Sequence, residues 1–165
     1  MGASGSKLVV TTPTDREIVM TRDIHAPREL VFEAHSSCEH LSRWWGPRRY
    51  EVADCDIDFR PGGAWRMVHR GSEGQEFGFH GEFKEIVPPE RITWTFEFEG
   101  MPGHVSVQTV EFQEHDGVTT LTSTAVFDSV EDRDGMLQSG MEEGAAESMD
   151  RLEEYLQTLQ ARRAS

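Results

Sequence analysis

From residue 51 to residue 59 apolar and polar side chains alternate: Ala53, Cys55, Ile57 and Phe59 on one side, Asp54, Asp56 and Asp58 on the other. A period of two is that of a strand with one face covered and one face wet. The same period runs through Ile18, Met20, Arg22 and Ile24, and again through Ile92, Trp94, Phe96 and Phe98. Further strand-length stretches are expected at residues 64–70, 77–87, 105–113 and 118–127. Pro61-Gly62-Gly63, Gly71-Ser72-Glu73-Gly74, Pro88-Pro89, residues 100–103 and His115-Asp116-Gly117 separate them as turns.

Two short helices interrupt this series after the first strand. Ala26-Pro27 opens one that carries Leu30, Val31 and Ala34 on a common face. The second carries Leu41, Trp44 and Trp45 and is stopped by Gly46-Pro47. Near the C-terminus the period changes to steps of three and four: Leu137, Met141, Ala145, Ser148, Leu152, Leu156 and Leu159 form one face of a long helix over about residues 131–161. Asp150, Glu153, Glu154 and Gln157 take the other face. Gly140 and Gly144 fall inside this helix, where each costs ~1 kcal/mol relative to alanine; close approach to the sheet is the expected compensation.

An antiparallel sheet with one apolar face needs a cover, and only the C-terminal helix is long enough. The expected fold is therefore α+β: one strand, two short helices, six strands and one long helix, with the sheet curled around that helix and a space left between them. Residues 1–15 are expected to be a flexible N-terminal arm, 16–161 one domain, and 162–165 a C-terminal tail.

Composition narrows the function. The chain has 165 residues and a net charge of −14, from 30 acidic and 16 basic side chains. Such a field repels nucleic-acid phosphates and anionic bilayers, and no run of residues is apolar enough to span a membrane. Residues 1–6 lack the apolar core of a signal peptide. Cys38 and Cys55 show no metal or redox spacing, which predicts reduced thiols and a cytoplasmic protein. No metal is expected either: Asp54, Asp56 and Asp58 lack the glycine and glutamate of a calcium loop, and no histidine pair has zinc-helix spacing. No Gly-x-Ser-x-Gly elbow marks a serine nucleophile. No cofactor is expected.

Five short stretches carry a family resemblance in the right order: residues 26–32 (APRELVF), 41–47 (LSRWWGP), 60–65 (RPGGAW), 81–86 (GEFKEI) and 88–92 (PPERI). Together they resemble the Hsp90-ATPase-activator-like domains, a branch of the SRPBCC/START/Bet v 1-like helix-grip superfamily, over about residues 16–160. The resemblance implies a helix-grip fold. It implies activity only loosely, because that superfamily holds lipid carriers, hormone receptors, polyketide cyclases and co-chaperone domains on one scaffold.

The leading expectation is a non-enzymatic protein with a general stress or ligand-binding role, holding a hydrophobic or aromatic molecule between sheet and helix. Trp44, Trp45, Trp65, Trp94, Phe96 and Met141 are the wall candidates, since such pockets favour aromatic walls with few polar groups. His69 and His80 are candidate polar anchors: a hairpin loop centred near Gly74 makes them face each other. A cyclase- or aromatase-like enzyme with His80 or Glu82 as general base is the first alternative. A co-chaperone-type module whose acidic surface meets a basic chaperone partner is the second. Arg22 interrupts an apolar strand face, so an edge or rim position is expected for it, with Glu82 as a candidate partner. Ser123 and Thr109 are candidate inward hydroxyls. Pairing into a homodimer through a sheet edge or an aromatic patch stays open.

Overall fold

The computed structural model describes residues 7–164. Its elements are β1 (Val9–Thr11), β2 (Glu17–Ile24), α1 (Arg28–Glu33), α2 (Cys38–Leu41), β3 (Glu51–Ile57), β4 (Ala64–Arg70), β5 (Glu76–Val87), β6 (Arg91–Phe98), β7 (Val105–His115), β8 (Val118–Val126), α3 (Val130–Gln138) and α4 (Met141–Ala164). The strands form one antiparallel sheet in the order β1-β2-β8-β7-β6-β5-β4-β3. From β3 to β8 each strand pairs with the next. The segment holding α1 and α2 carries the chain from β2 to the far edge at β3.

The sheet's register shifts between Val52 and Asp54 and between Phe83 and Glu85. Such irregularities raise local twist. Its concave face closes on α4: Leu152 and Leu156 are buried among Ile24, Val31, Phe112 and Leu121. The strand periods therefore fix which side chains meet the helix, and the architecture is the expected α+β helix grip.

Three details differ from the sequence reading. Part of the expected N-terminal arm is a strand, because Val9–Thr11 pairs with Thr21–Val19 of β2. Residues 1–6 of that arm, and Ser165, lie outside the described residues. The expected long helix is two helices: α3 ends at Gln138, and Gly140 takes φ +85°, a left-handed conformation that costs little without a Cβ. Gly140 is thus a helix-breaking residue rather than a packing one, and nothing lies within 4 Å of where its Cβ would be. At the other end α4 runs on to Ala164, into the expected tail.

Candidate functional site

A cavity of about 720 Å³ lies between the sheet and α4. Alternation on the strands builds its walls. β4 contributes Trp65, Met67 and His69; β5 contributes Phe77, Phe79 and Phe83; β6 contributes Trp94, Phe96 and Phe98. The loop after α2 supplies Trp44, Trp45 and Tyr50, and α4 supplies Met141, Ala145 and Ser148. Phe79 is at the centre of the ring cluster, with centroids 5.6 Å from Trp45, 5.4 Å from Phe96 and 5.3 Å from Phe98.

Two of the wall tryptophans use their one donor on backbone: Trp44 Nε1 donates to Ala34 O at 3.0 Å and Trp65 Nε1 to Thr95 O at 3.1 Å. They therefore present apolar surface to the space. Met20, Met67, Met101, Met136, Met141 and Met149 also line it. Unbranched thioether side chains of this kind adapt to the shape of what they contact.

His69 is buried within this lining, stacked on Tyr50 (5.9 Å) and tilted against Trp45 (4.8 Å). Its Nε2 is buried without a hydrogen-bond partner. Burial, and next the positive charge of Arg151, lower its pKa to about 4, so the ring is neutral at pH 7. Gly46 makes this placement fit: its φ is +93°, and a Cβ there would run into the His69 ring. His35 is a second lining histidine. Its Nδ1 lies 2.8 Å from Val31 O, its ring packs on Trp44 and Phe112, and burial lowers its pKa to about 4.

Arg22 also faces inward. Its side chain is 7% exposed; Nη1 donates to Asp150 Oδ1 at 2.7 Å and Nη2 to Glu153 Oε1 at 3.1 Å. The other oxygen of Glu153 accepts from the His25 backbone N–H at 2.8 Å and meets His25 Nδ1 at 2.7 Å. This corrects two expectations. Arg22 is not at a rim and its partner is not Glu82. Glu153 does not sit on the solvated face of the helix; it is buried there by the arginine that needs it.

Where the cavity meets solvent it is bordered by exposed Met101, His104, Glu131, Gly135 and Ser139. His104 Nδ1 lies 2.8 Å from Asp132 Oδ1 and joins the β6–β7 loop to α3. None of the α3 side chains is buried.

The candidate residues divide into two groups. Trp44, Trp45, Trp65, His69, Trp94, Phe96, Met141 and Ser123 line the cavity, whereas His80, Glu82 and Thr109 do not. The β4–β5 register pairs His69 with Phe77 and His80 with Arg66, so the two histidines point to opposite faces of the sheet. Facing each other would need a hairpin centred midway between Gly74 and Gln75. It is centred on Glu73, and that offset of one and a half residues, an odd change in register, puts them on opposite faces. On the outer face His80 lies between Glu97 (3.1 Å) and Glu99 (3.0 Å). Its hydrogen bond to Glu99 is the main cause of its raised pKa. Arg66 and then His80 hold Glu99 down to about 2. Glu82 is exposed, and its side chain is 3.6 Å from Lys84. The general-base roles considered for His80 and Glu82 therefore have no cavity to act in. Thr109 meets Thr93 across the strands at 3.1 Å. Gly144 lines the cavity and faces Pro47 of the loop after α2, whose Cγ is 3.9 Å from where a Cβ would be. That is ordinary van der Waals distance, so the close approach to the sheet expected of this glycine is not found.

Cys38 and Cys55 form a disulfide, which corrects the reading of reduced thiols. They are 17 residues apart with no motif between them, but α2 packs beside β3 and brings their Cα atoms to 5.8 Å. The cytoplasmic expectation loses the support it drew from them. No helix among the described residues is long and apolar enough to cross a membrane.

A curved antiparallel sheet gripping a C-terminal helix over an apolar cavity defines a helix-grip domain. The chain belongs to the family described as Activator of Hsp90 ATPase homolog 1-like protein, whose family model matches residues 25–157. Solved structures agree on the fold. A Nitrosomonas europaea protein is 26% identical, with 91% of this chain and 99% of that chain covered and a TM-score of 0.81. A Rhodobacter sphaeroides protein is 23% identical, with 92% and 99% covered and a TM-score of 0.85. CalU16 from Micromonospora echinospora is 20% identical, with 95% and 88% covered and a TM-score of 0.59. A comparison with curated proteins finds no match.

Sequence reasoning missed Tyr50, Phe77, Phe79 and Phe98 as wall residues, and His35 and the Arg22–Glu153 pair as buried polar groups. For the phenylalanines a signal was present: Phe77 and Phe79 alternate with Gly78 and His80, and Phe98 shares the parity of Trp94 and Phe96. For Glu153 there was none, since a glutamate beside another on a helix normally faces water.

Proposed function

We propose that this protein binds a hydrophobic or aromatic small molecule in the cavity between the sheet and α4, and that it does so without turning it over. The observation that carries this reading is a space of about 720 Å³ walled by tryptophan, phenylalanine and methionine side chains. Specific pockets for small molecules have volumes of roughly 300–1,000 Å³ and the same apolar character. A buried, neutral His69 beside Tyr50 supplies a polar anchor of the kind that orients a ligand in such a site. A base with a pKa of about 4 is weak for proton abstraction at neutral pH, which favours binding over acid–base chemistry.

The test is uptake of diphenylhexatriene, a neutral dye that fluoresces in apolar surroundings, together with native mass spectrometry of freshly purified protein. Stoichiometric uptake that is lost in Met141→Trp, with circular dichroism and melting temperature retained, is the expected result. Wild-type protein that leaves the dye dark and carries no adduct would refute the reading.

A further inference from the structure

Taking the small-molecule reading as its basis, we infer that the cavity selects lipophilic cations, such as aromatic quaternary ammonium compounds, over neutral or anionic molecules of the same shape. Three independent features of the molecule converge on this. The first is the wall chemistry. Phe79, Trp45, Phe96 and Phe98 form a cluster with ring centroids 5.3–6.4 Å apart. Aromatic faces carry negative charge density, and sets of such rings attract a cation whose charge is spread over methyl groups.

The second is the charge of the lining. Among the described residues Arg22 is its one arginine or lysine, and the buried carboxylate of Glu153 and the more exposed one of Asp150 more than offset it, so that the arginine brings no positive surplus. The carboxylates of the lining are Glu131 and Asp132, both on α3 at the opening. Glu131 is exposed and enters no ion pair among the described residues, while Asp132 is bonded to His104. Two lining histidines, His35 and His69, are uncharged at pH 7 because burial brings both to about 4.

The third is the long-range field of a chain with net charge −14, which concentrates cations and repels anions at its openings. Cations near the cavity do not reverse this. Arg133 on α3 is turned to Asp134 and to Thr14 O. Arg151, whose charge is felt at His69, donates to the carbonyls of Gly46 and Arg43 and has Glu154 and Glu147 as well as Arg48 around it. Arg48 is held by Glu154, and Arg49 lies over the Tyr50 ring at 5.0 Å, outside the lining.

Three dyes of one shape test the inference: diphenylhexatriene, its trimethylammonium derivative and its propionate derivative, titrated against the same protein at low and at moderate salt. The trimethylammonium dye is expected to bind on the order of tenfold more tightly than the neutral parent, as cation–π attraction in a desolvated site implies. The propionate is expected to bind most weakly. Phe79→Leu keeps an apolar wall but removes a ring, and is expected to shrink the cation-to-neutral ratio; Glu131→Gln, at the surface, shrinks it without touching the core. Arg60→Lys, which keeps the net charge at an exposed position paired with Asp58, is the control that leaves the ratio unchanged. If the neutral dye binds but the cation does no better, or the propionate binds most tightly, charge selection is overturned while the cavity reading stands. If none of the three binds, both fall together.

Discussion

Arg22 of β2 and Glu153 of α4 meet at 3.1 Å with side chains only 7% and 8% exposed, so the first complete strand and the C-terminal helix are joined by a buried ion pair. The remaining oxygen of Glu153 is taken up by His25, just beyond the end of the same strand. Removing one partner of a buried pair leaves the other charged and desolvated, which costs about 3–5 kcal/mol. Glu153→Ala is therefore expected to lower the unfolding free energy in urea by about that much. Asp150→Ala, whose carboxylate is 55% exposed, is expected to cost no more than about 1 kcal/mol. Equal effects from the two variants would show that burial does not set the strength of this contact.

That pair also marks how far the sequence could be read. Alternation in Ala53–Phe59 and Ile92–Phe98, and the change of period after residue 130, are local signals, and they were sufficient for β2 to β8, the two short helices and the grip architecture, but not for β1 or for the break between α3 and α4. Placement of His80 was not local. It depended on where the 71–75 hairpin turns, and any odd change in the register sum exchanges the faces of a strand's residues relative to its neighbour. Glu153 was less legible still, because its burial follows from an arginine about 130 residues earlier in the chain. The cysteines are a third case: their pairing is visible only once α2 is placed against β3. Gly140 carried the right signal, a glycine in a helical stretch, but the cost was met by a break in the helix rather than by close packing.

Stability should depend on pH through His35 and His69. Each has a folded-state pKa of about 4, whereas in the unfolded chain a histidine titrates near 6.5. Both values are lowered, so their contribution is fully present above about pH 6.5 and is lost as pH falls towards 4, where the unfolded chain takes up protons that the folded one refuses. Each shift corresponds to at most about 3 kcal/mol. Urea midpoints measured from pH 7.5 to 4.5 should fall with acidification, and more gently in His35→Gln and His69→Gln. Glu99, held to about 2, begins to lose its contribution only as the unfolded carboxylate protonates at the acid end of this window. Its partner His80, whose pKa is raised, acts in the opposite sense, adding stability on acidification; at 42% exposure that opposing contribution is small beside two buried rings. A flat profile in the wild-type protein would contradict the burial of both rings in neutral form.

The disulfide ties the segment carrying Trp44 and Trp45 to edge strand β3, and its loop of 17 residues is short. Closing a loop of that size restricts the unfolded chain by about 3 kcal/mol. Intact mass under denaturing, non-reducing conditions should show no thiol available for alkylation, and reduction should expose two. Reduction, or Cys38→Ser with Cys55→Ser, is expected to lower stability by up to about 3 kcal/mol. Two alkylated thiols in protein purified without reductant would show that the bond does not form.

Helix α3 has no buried side chain and meets α4 at a left-handed glycine, while His104–Asp132 fastens it to the β6–β7 loop beside the cavity opening. The pair is well placed to slow passage rather than to hold a ligand, because His104 is 51% exposed and the contact is at the surface. Surface ion pairs are worth about 0.2–1 kcal/mol, so breaking this one should speed both entry and release roughly two- to fivefold. Asp132→Asn, examined by stopped-flow mixing with neutral diphenylhexatriene, is expected to raise both rate constants and leave their ratio, and hence the Kd, nearly the same. Because the dye is uncharged, lost carboxylate attraction does not enter its rates. A change in Kd with entry unaltered would instead make Asp132 a contact residue, and unchanged rates would mean that this pair does not gate the passage of ligands.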